Sequence, residues 1–477
     1  MANDNAQSMK KSLDPKWLIL GAVMLGSLMG PLDASIVNTV LPRITEYFHT
    51  DVSITPWVPT VYLLTISCLI LLYGRLGDML GYKRIFLCGL AAFTLTSLLC
   101  GFSQSIWMLI AFRALQGLAA GMMMSVSFAI IASTFPAAQR GRAMGIYAIS
   151  IAIGLGIGPT LGGAIAEYGS WQYVFFVNVP IGICALLLGS RVIPKGSVKP
   201  GQHLDVAGAF AAFVFLTSFL LFANRGGNWG WLSAASVSLM VIAVISVAAF
   251  IQIERRTKQP MLNLELFHSR VFSFASLSAL INFMALYALV FITPFYLSFV
   301  LKYSILKVGI VMVASPIATL FVAPLSGILS DRIGSRGLAV GGMVACSVGM
   351  FLLSGLDAGS TSFDVAWRLA ICGVGSGMFQ SPNNSAVMGS VPAMRLGIAS
   401  GMLAAMRNVG MVLGIAIAGA VLYNLAPVAA SGHIGQLTGP EVNEFVNGLH
   451  WAYISGSAMA GFAAITSLFA VKQRTEA

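Results

Sequence analysis

Charge is what this 477-residue chain has least of: 9% of its residues are Asp, Glu, Lys or Arg, well below what a soluble surface carries. With 57% hydrophobic residues and a mean hydropathy of +0.86, no water-soluble fold could hide so much apolar surface. Cysteine is also sparse. Cys68, Cys88, Cys100, Cys184, Cys346 and Cys372 lie scattered in or beside apolar runs, form no CxxC pair and read as packing residues. His49, His203, His268, His433 and His450 are far apart and near loops, without metal-ligand spacing. No segment ends in the GK[ST] of a phosphate-binding loop, so ATP is not indicated as an energy source. A membrane-embedded enzyme would show catalytic His, Asp or Glu clustered near an interface, and a sensor would need a loop long enough for a signalling domain. Neither is present.

What is present is a succession of apolar runs, near 17–41, 54–74, 82–101, 106–131, 143–166, 173–190, 205–223, 232–252, 271–298, 306–329, 337–355, 364–388, 396–423 and 450–471. About 20 apolar residues cross the hydrocarbon core as a helix, so the pattern predicts an all-α integral membrane protein with 14 transmembrane helices. The first run, from Trp17, follows Lys10, Lys11 and Lys16 as a signal peptide would, but it is too long and ends in no small-residue cleavage site. The net charge of +11 does not point to nucleic acid, because the basic residues fall in short clusters between apolar runs. With a cytoplasmic N-terminus, twenty of the 27 Lys and Arg fall on the cytoplasmic side. Arg43, Arg225, Lys302 and Lys307 fall outside, and Arg113, Arg368 and Arg407 within spans. This asymmetry puts both termini in the cytoplasm.

A short motif recurs: Gly74-x3-Asp78-x2-Gly81-x-Lys83 returns as Gly327-x3-Asp331-x2-Gly334-x-Arg336. Each copy follows the second span of a six-span unit. The expected division is a cytoplasmic N-terminus (1–16), an N-terminal six-helix bundle (17–190), a linker with two inserted spans and a surface segment from Glu254 to Arg270 (191–270), a C-terminal six-helix bundle (271–471) and a cytoplasmic C-terminus (472–477). The largest outer loop falls between about 424 and 447.

At these residues the sequence resembles the major facilitator superfamily, and within it the fourteen-span drug:proton antiporter family of the EmrB/QacA type. The loop from Gly74 to Arg84 is similar to the superfamily's loop signature, with Met79 where a basic residue is usual. Leu109 to Gly121, carrying Arg113 and Gln116-Gly117, resembles the fourth-helix motif. Gly154-x3-Gly158-Pro159-x2-Gly162-Gly163 resembles the fifth-helix motif associated with antiporters. Leu32-Asp33 through Asn38 to Pro42, and Trp171 through Asn178 to Gly182, are similar to segments of the fourteen-span group. The resemblance implies a major-facilitator-like fold with two bundles around a midplane cavity, and alternating access. It implies export of hydrophobic or cationic small molecules, powered by the proton gradient with no cofactor. The expected surroundings are the inner (cytoplasmic) membrane and its lipid bilayer; a periplasmic adaptor with an outer-membrane channel is left open, as is a dedicated lipid or metabolite exporter of the same fold.

Asp33 is the one acid of 16 well inside a span, and an ionisable group there is a functional candidate. It lies about 12 Å from the outer end of its helix and Arg113 about 10 Å from the same side. Gly30-Pro31 just before it predict a kink that opens the backbone. Two readings follow: Asp33 with Arg113 couples transport to protons, or the two form a structural ion pair. Asp78 with Gly74, Gly81, Lys83 and Arg84, and Asp331 with Gly327, Gly334, Arg332 and Arg336, are candidate cytoplasmic latches, or else solvated turns. The glycine stripe of the fifth span is a sliding or hinge contact between halves, or static packing. In the ninth span Phe283, Tyr287, Phe291 and Phe295 share a face with Asn282, which either stacks on flat ligands or packs. Gln380, Asn383 and Asn384, with Arg407 and Asn38, complete the expected substrate cavity.

Overall fold

The computed structural model describes residues 14–50, 54–55, 57–195, 204–257, 260, 262, 264–426 and 439–470. Most of the expected tails (1–13 and 472–477), the middle of the expected outer loop (427–438), Lys199, Lys258, His203 and His433 lie outside the described residues. Each expected apolar run falls on helix, and no strand occurs among the described residues.

The helices are α1 (Pro15–Tyr47), α2 (Trp57–Leu80), α3 (Tyr82–Gly101), α4 (Ile106–Thr134), α5 (Ala137–Tyr168), α6 (Tyr173–Phe176), α7 (Asn178–Val192), α8 (Val206–Trp229) and α9 (Ala234–Arg256). After a 3-10 turn at Leu264–His268 come α10 (Arg270–Phe295), α11 (Ile305–Met312), α12 (Ala314–Ile333), α13 (Ser335–Ser354), α14 (Ser362–Gly389), α15 (Leu396–Leu425) and α16 (Gly439–Phe469). Side chains that accept the first free N–H groups mark several starts: Ser105 from Met108, Asp205 from Gly208, and a reciprocal Thr361 and Asp364 box on α14.

Two expected spans are broken, and proline accounts for both. Pro180 has no N–H for the carbonyl of Phe176, and the helix divides there into α6 and α7. Pro316 likewise cannot donate to Met312, and α11 gives way to α12. Pro294 is followed by a π-helical turn at Tyr296–Val300. α1 is helical throughout Pro15–Tyr47, Gly30-Pro31 included.

Thirteen helical stretches among the described residues are long and apolar enough to cross a membrane, so the chain is a multi-pass membrane protein. The expected run 364–388 is helical as α14 but is not one of the thirteen. Its glycines, serines and the amides Gln380, Asn383 and Asn384 dilute its apolar content.

The packing repeats along the chain. α1 lies against α5 and α7, α2 against α4, and α3 against α4 and α7; correspondingly α10 lies against α15 and α16, α12 against α14, and α13 against α14 and α16. One apolar core, around Val23, Phe86, Phe93 and Met144, extends from the first set into α10, α14 and α15 through Phe272, Met388 and Ile398, and a second, around Ala285, Met343, Cys372 and Tyr453, lies within the second set. Two seams join them, α2 on α15 and α12 on α5. α8 pairs with α9 and sits against α2 and α15.

Candidate functional site

Five helices of the first set bring polar side chains to one carboxylate. Asp33 of α1 is fully buried, and its Oδ2 pairs with Nη1 of the equally buried Arg113 of α4. Its Oδ1 accepts from Nε2 of Gln116 at 3.1 Å and from Nδ2 of Asn178, the first residue of α7, at 3.0 Å. Gln116 is itself held: its Oε1 accepts from Arg113 at 2.6 Å, and its Nε2 also donates to Ser97 of α3 at 2.7 Å. Arg113 Nε donates to the carbonyl of Val58 in α2, and the guanidinium lies 4.0 Å over the Tyr62 ring. Tyr62 returns to α1 by donating to the carbonyl of Gly30. Nη2 of Arg113 and Oδ1 of Asn178 have no partner among the described residues.

Asp33 and Arg113, expected at similar depth, are therefore in direct contact. Gln116 and Asn178 stood in the sequence only as parts of longer motifs, and Tyr62 carried no signal at all. The chemistry of the cluster is definite. Three donors converge on the carboxylate, so a proton on Asp33 must displace or weaken at least one of them, the Arg113 pair included.

The glycine motif packs beside this cluster. A Cβ on Gly154 would stand 3.0 Å from the carbonyl of Leu28, and one on Gly158 would strike Ser35, so both let α5 lie directly on α1 either side of Asp33. Ser35 Oγ donates to the carbonyl of Gly154 at 2.9 Å. This stripe faces its own set of helices. The glycines of α5 that meet the other set are Gly141, Gly145 and Gly156, against Gly327, Ala323 with Pro324, and Pro316. Gly162 is buried, Gly163 meets nothing within 4 Å, and Pro159 lies in α5 with its side chain outside the described ones.

The repeated motif does the same thing twice. Asp78 accepts from the backbone N–H groups of Gly397 at 2.8 Å and Ile398 at 3.0 Å, in the first turn of α15, and from the Tyr82 hydroxyl at 2.7 Å. Asp331 accepts from the N–H groups of Gly141 at 2.9 Å and Arg142 at 3.0 Å, near the start of α5. A carboxylate at a helix N-terminus is favoured by both the free donors and the helix dipole. Gly74 and Gly327 let the backbones meet: a Cβ on Gly74 would come within 2.5 Å of the Gly397 carbonyl, and one on Gly141 within 2.6 Å of the Gly327 carbonyl. Gly81 and Gly334 turn their chains at φ +90° and +91°, where an L side chain is strained. The basic residues play a smaller part than expected. Lys83 instead caps α7 by donating to the carbonyls of Ser190 and Ile193, while Arg84, Arg332 and Arg336 are exposed and form no ion pair among the described residues.

Of the expected cavity residues, Tyr287 borders a cavity of about 80 Å³ between α2, α8, α10 and α15. Arg407 is 6% exposed on α15, the helix that lies against both α2 and α10, so it stands where the two sets of helices meet. It has no acidic partner among the described residues. The others lie elsewhere. Asn38 is exposed. Asn282 is fully buried in α10 with neither amide atom partnered among the described residues. Phe283 packs on Gly410 of α15, and Phe291 and Phe295 begin a ring row that runs through Phe299 to Phe445 inside the second core. Asn383 donates to the carbonyl of Ala275 at 3.1 Å, Gln380 donates to Ser376 at 2.6 Å, and Asn384 is half-buried.

Comparison with known proteins gives one consistent frame. The sequence model of the Major Facilitator Superfamily matches residues 23–415. The uncharacterized transporter YebQ of Escherichia coli (strain K12) is 35% identical over 403 residues, 84% of this chain and 88% of YebQ. The riboflavin transporter RibZ of Clostridioides difficile is 32% identical, covering 84% of this chain and 87% of RibZ. The multidrug resistance protein Stp of Mycobacterium tuberculosis is also 32% identical, over 85% of this chain and 75% of Stp. Among solved structures, the human organic anion transporter MFSD10 superposes with a TM-score of 0.67 at 16% identity, covering 95% of this chain and 100% of that one. That likeness carries the fold alone.

Proposed function

Because the chain belongs to the Major Facilitator Superfamily, a family of transporters rather than enzymes, we propose that it is a proton-coupled multidrug exporter of the fourteen-span antiporter type. The observation that carries the reading is the fully buried Asp33, ion-paired to Arg113 and bridged by hydrogen bonds to α4 and α7. A carboxylate there, in helices that must shift against one another, is a natural place to load and release a proton. Asp78 and Asp331 tie the two sets of helices at one end, so this conformation is closed there. The reading takes that end as cytoplasmic, both termini with it, in the inner membrane. The working division is 17–190 and 271–471 for the two bundles and 191–270 for the insert, with α14 as the fourteenth crossing.

In this mechanism the substrate sits between the sets of helices near Tyr62, Tyr287 and Arg407. A proton reaching Asp33 weakens its hold on Arg113, and the change passes to α2 through the stacked Tyr62. α2 carries Asp78 sixteen residues further on, about 24 Å away along the helix, so it links the buried cluster to the latch. The mid-membrane charges Asp33, Arg113 and Arg407 leave one positive charge over when Asp33 is ionised. Neutral aromatic compounds therefore suit the site better than the cations that the sequence also allowed. A dedicated metabolite exporter is the second reading, favoured by the relative named as a riboflavin transporter.

A substrate-panel efflux assay in a pump-deficient host, with and without an uncoupler, separates these. The proposal expects several unrelated aromatic compounds to be exported and the uncoupler to abolish export. Export of a single compound favours the metabolite reading, and export insensitive to the uncoupler removes proton coupling.

A further inference from the structure

At the end of the molecule away from Asp78 and Asp331, the inserted helix α8 lies in the seam between α2 and α15. Its Arg225 is 8% exposed, and the guanidinium sits 4.3 Å over the ring of Trp57, the first residue of α2. Nε and Nη2 have no hydrogen-bond partner, and no acid pairs with Arg225, among the described residues. Arg43, Lys302 and Lys307, the other basic residues assigned to this end, are exposed. Taking a guanidinium out of water without an anion is expensive, and the two unpartnered nitrogens, with three N–H groups, are held in place by the stack on Trp57.

In the same seam between α2, α8 and α15 is the cavity of about 80 Å³ already described. Ala223, two residues before Arg225, and Leu63, about 9 Å along α2 from Trp57, form part of its wall with Val412 and Ile415 of α15. Asn408, whose Nδ2 is also unpartnered, adds one donor. The bilayer borders the site, because the end of α8, the start of α9 and the turn between them expose Trp229, Trp231, Leu232 and Val237. A fixed, desolvated fork of donors in a seam that also holds an apolar cavity, with lipid next to it, has the chemistry of an amphiphile site.

We propose that Arg225 and Trp57 bind the phosphate of an anionic membrane phospholipid, with part of an acyl chain in the cavity walled by Leu63, Ala223 and Val412. The site is separate from Asp33, so it stands or falls without proton coupling, although Tyr287, beside which the transported substrate is placed, borders the same cavity. It also gives the inserted pair α8 and α9 a task, bringing a lipid to the seam where the two sets of helices meet.

The test measures lipid binding to the purified full chain in detergent, by native mass spectrometry and thermal shift, with dioleoyl phosphatidylglycerol, dioleoyl phosphatidylcholine and inorganic phosphate as probes. Wild type is expected to bind and be stabilised by phosphatidylglycerol more than by phosphatidylcholine. Arg225→Gln should weaken phosphatidylglycerol about tenfold or more, the scale of a lost charge-assisted pair, and leave phosphatidylcholine unchanged. Ala223→Leu keeps the guanidinium but fills the cavity, and should also weaken phosphatidylglycerol; it decides the matter if Arg225→Gln does not fold. Undiminished phosphatidylglycerol binding in these variants would overturn the proposal, as would equal binding of the two lipids by wild type. Inorganic phosphate that stabilises wild type as strongly as phosphatidylglycerol would reassign the site to a free anion.

Discussion

Asp33 and Arg113 neutralise each other at full burial, and that balance makes each dependent on the other. Removing one partner of a buried pair leaves the other charge unpaired, a cost of about 3–5 kcal/mol. Asp33→Asn is therefore expected to lower the melting temperature in detergent, and the double variant Asp33→Asn with Arg113→Gln to recover most of it. Equal melting of the single and double variants would show that the pair is not coupled. Asn178→Ala removes one donor to the same carboxylate, and a loss of about 1–3 kcal/mol is expected from the hydrogen bond to a charged group, read from the same melts. The sequence alone made the pair legible through depth, since both residues are charges set a few turns from one face of the membrane. It could not reveal Asn178 as a ligand of Asp33, because nothing across a separation of 145 residues encodes where α7 begins in space. Tyr62 was illegible for the same reason: one aromatic among 12 tyrosines becomes distinctive only when a guanidinium lies on it.

Among the helices, the repeated motif works through backbone rather than through charge pairs. The sequence showed two matched acids with basic neighbours, which pointed to cytoplasmic latches or to solvated turns. The acids instead cap the starts of α15 and α5, and their partners are N–H groups, which every residue but proline has and no motif can advertise. Only the small residues that permit the approach, Gly74 and Gly327, left a trace in the sequence. Asp78→Ala and Asp331→Ala should each shift the molecule away from the closed conformation. Spin labels replacing exposed Arg84, ahead of the body of α3, and Met394, just before α15, would report this as a longer and broader distance distribution. An unchanged distribution in both variants would remove the latch. The aromatic face of α10 is a case where the period was read correctly and its purpose stayed ambiguous. Phe291 and Phe295 join a ring row in the core, because helical spacing gives the face and only the neighbouring helices decide what it meets.

For the whole molecule, composition and hydropathy carried most of the fold: scarce charge and successive apolar runs require a helical membrane protein, and each run is helix. The breaks at Pro180 and Pro316 were readable from proline but were passed over, since the apolar runs continue across them. The seams between the two sets of helices were not readable, because they depend on which glycines oppose one another. The account's central claim is that Asp33 couples this architecture to protons, and proton flux into proteoliposomes upon addition of an exported substrate tests it most directly. Wild type is expected to move protons with substrate, whereas the folded Asp33→Asn/Arg113→Gln variant should bind substrate and move none. Substrate-driven proton flux at the wild-type rate in that variant would contradict the account.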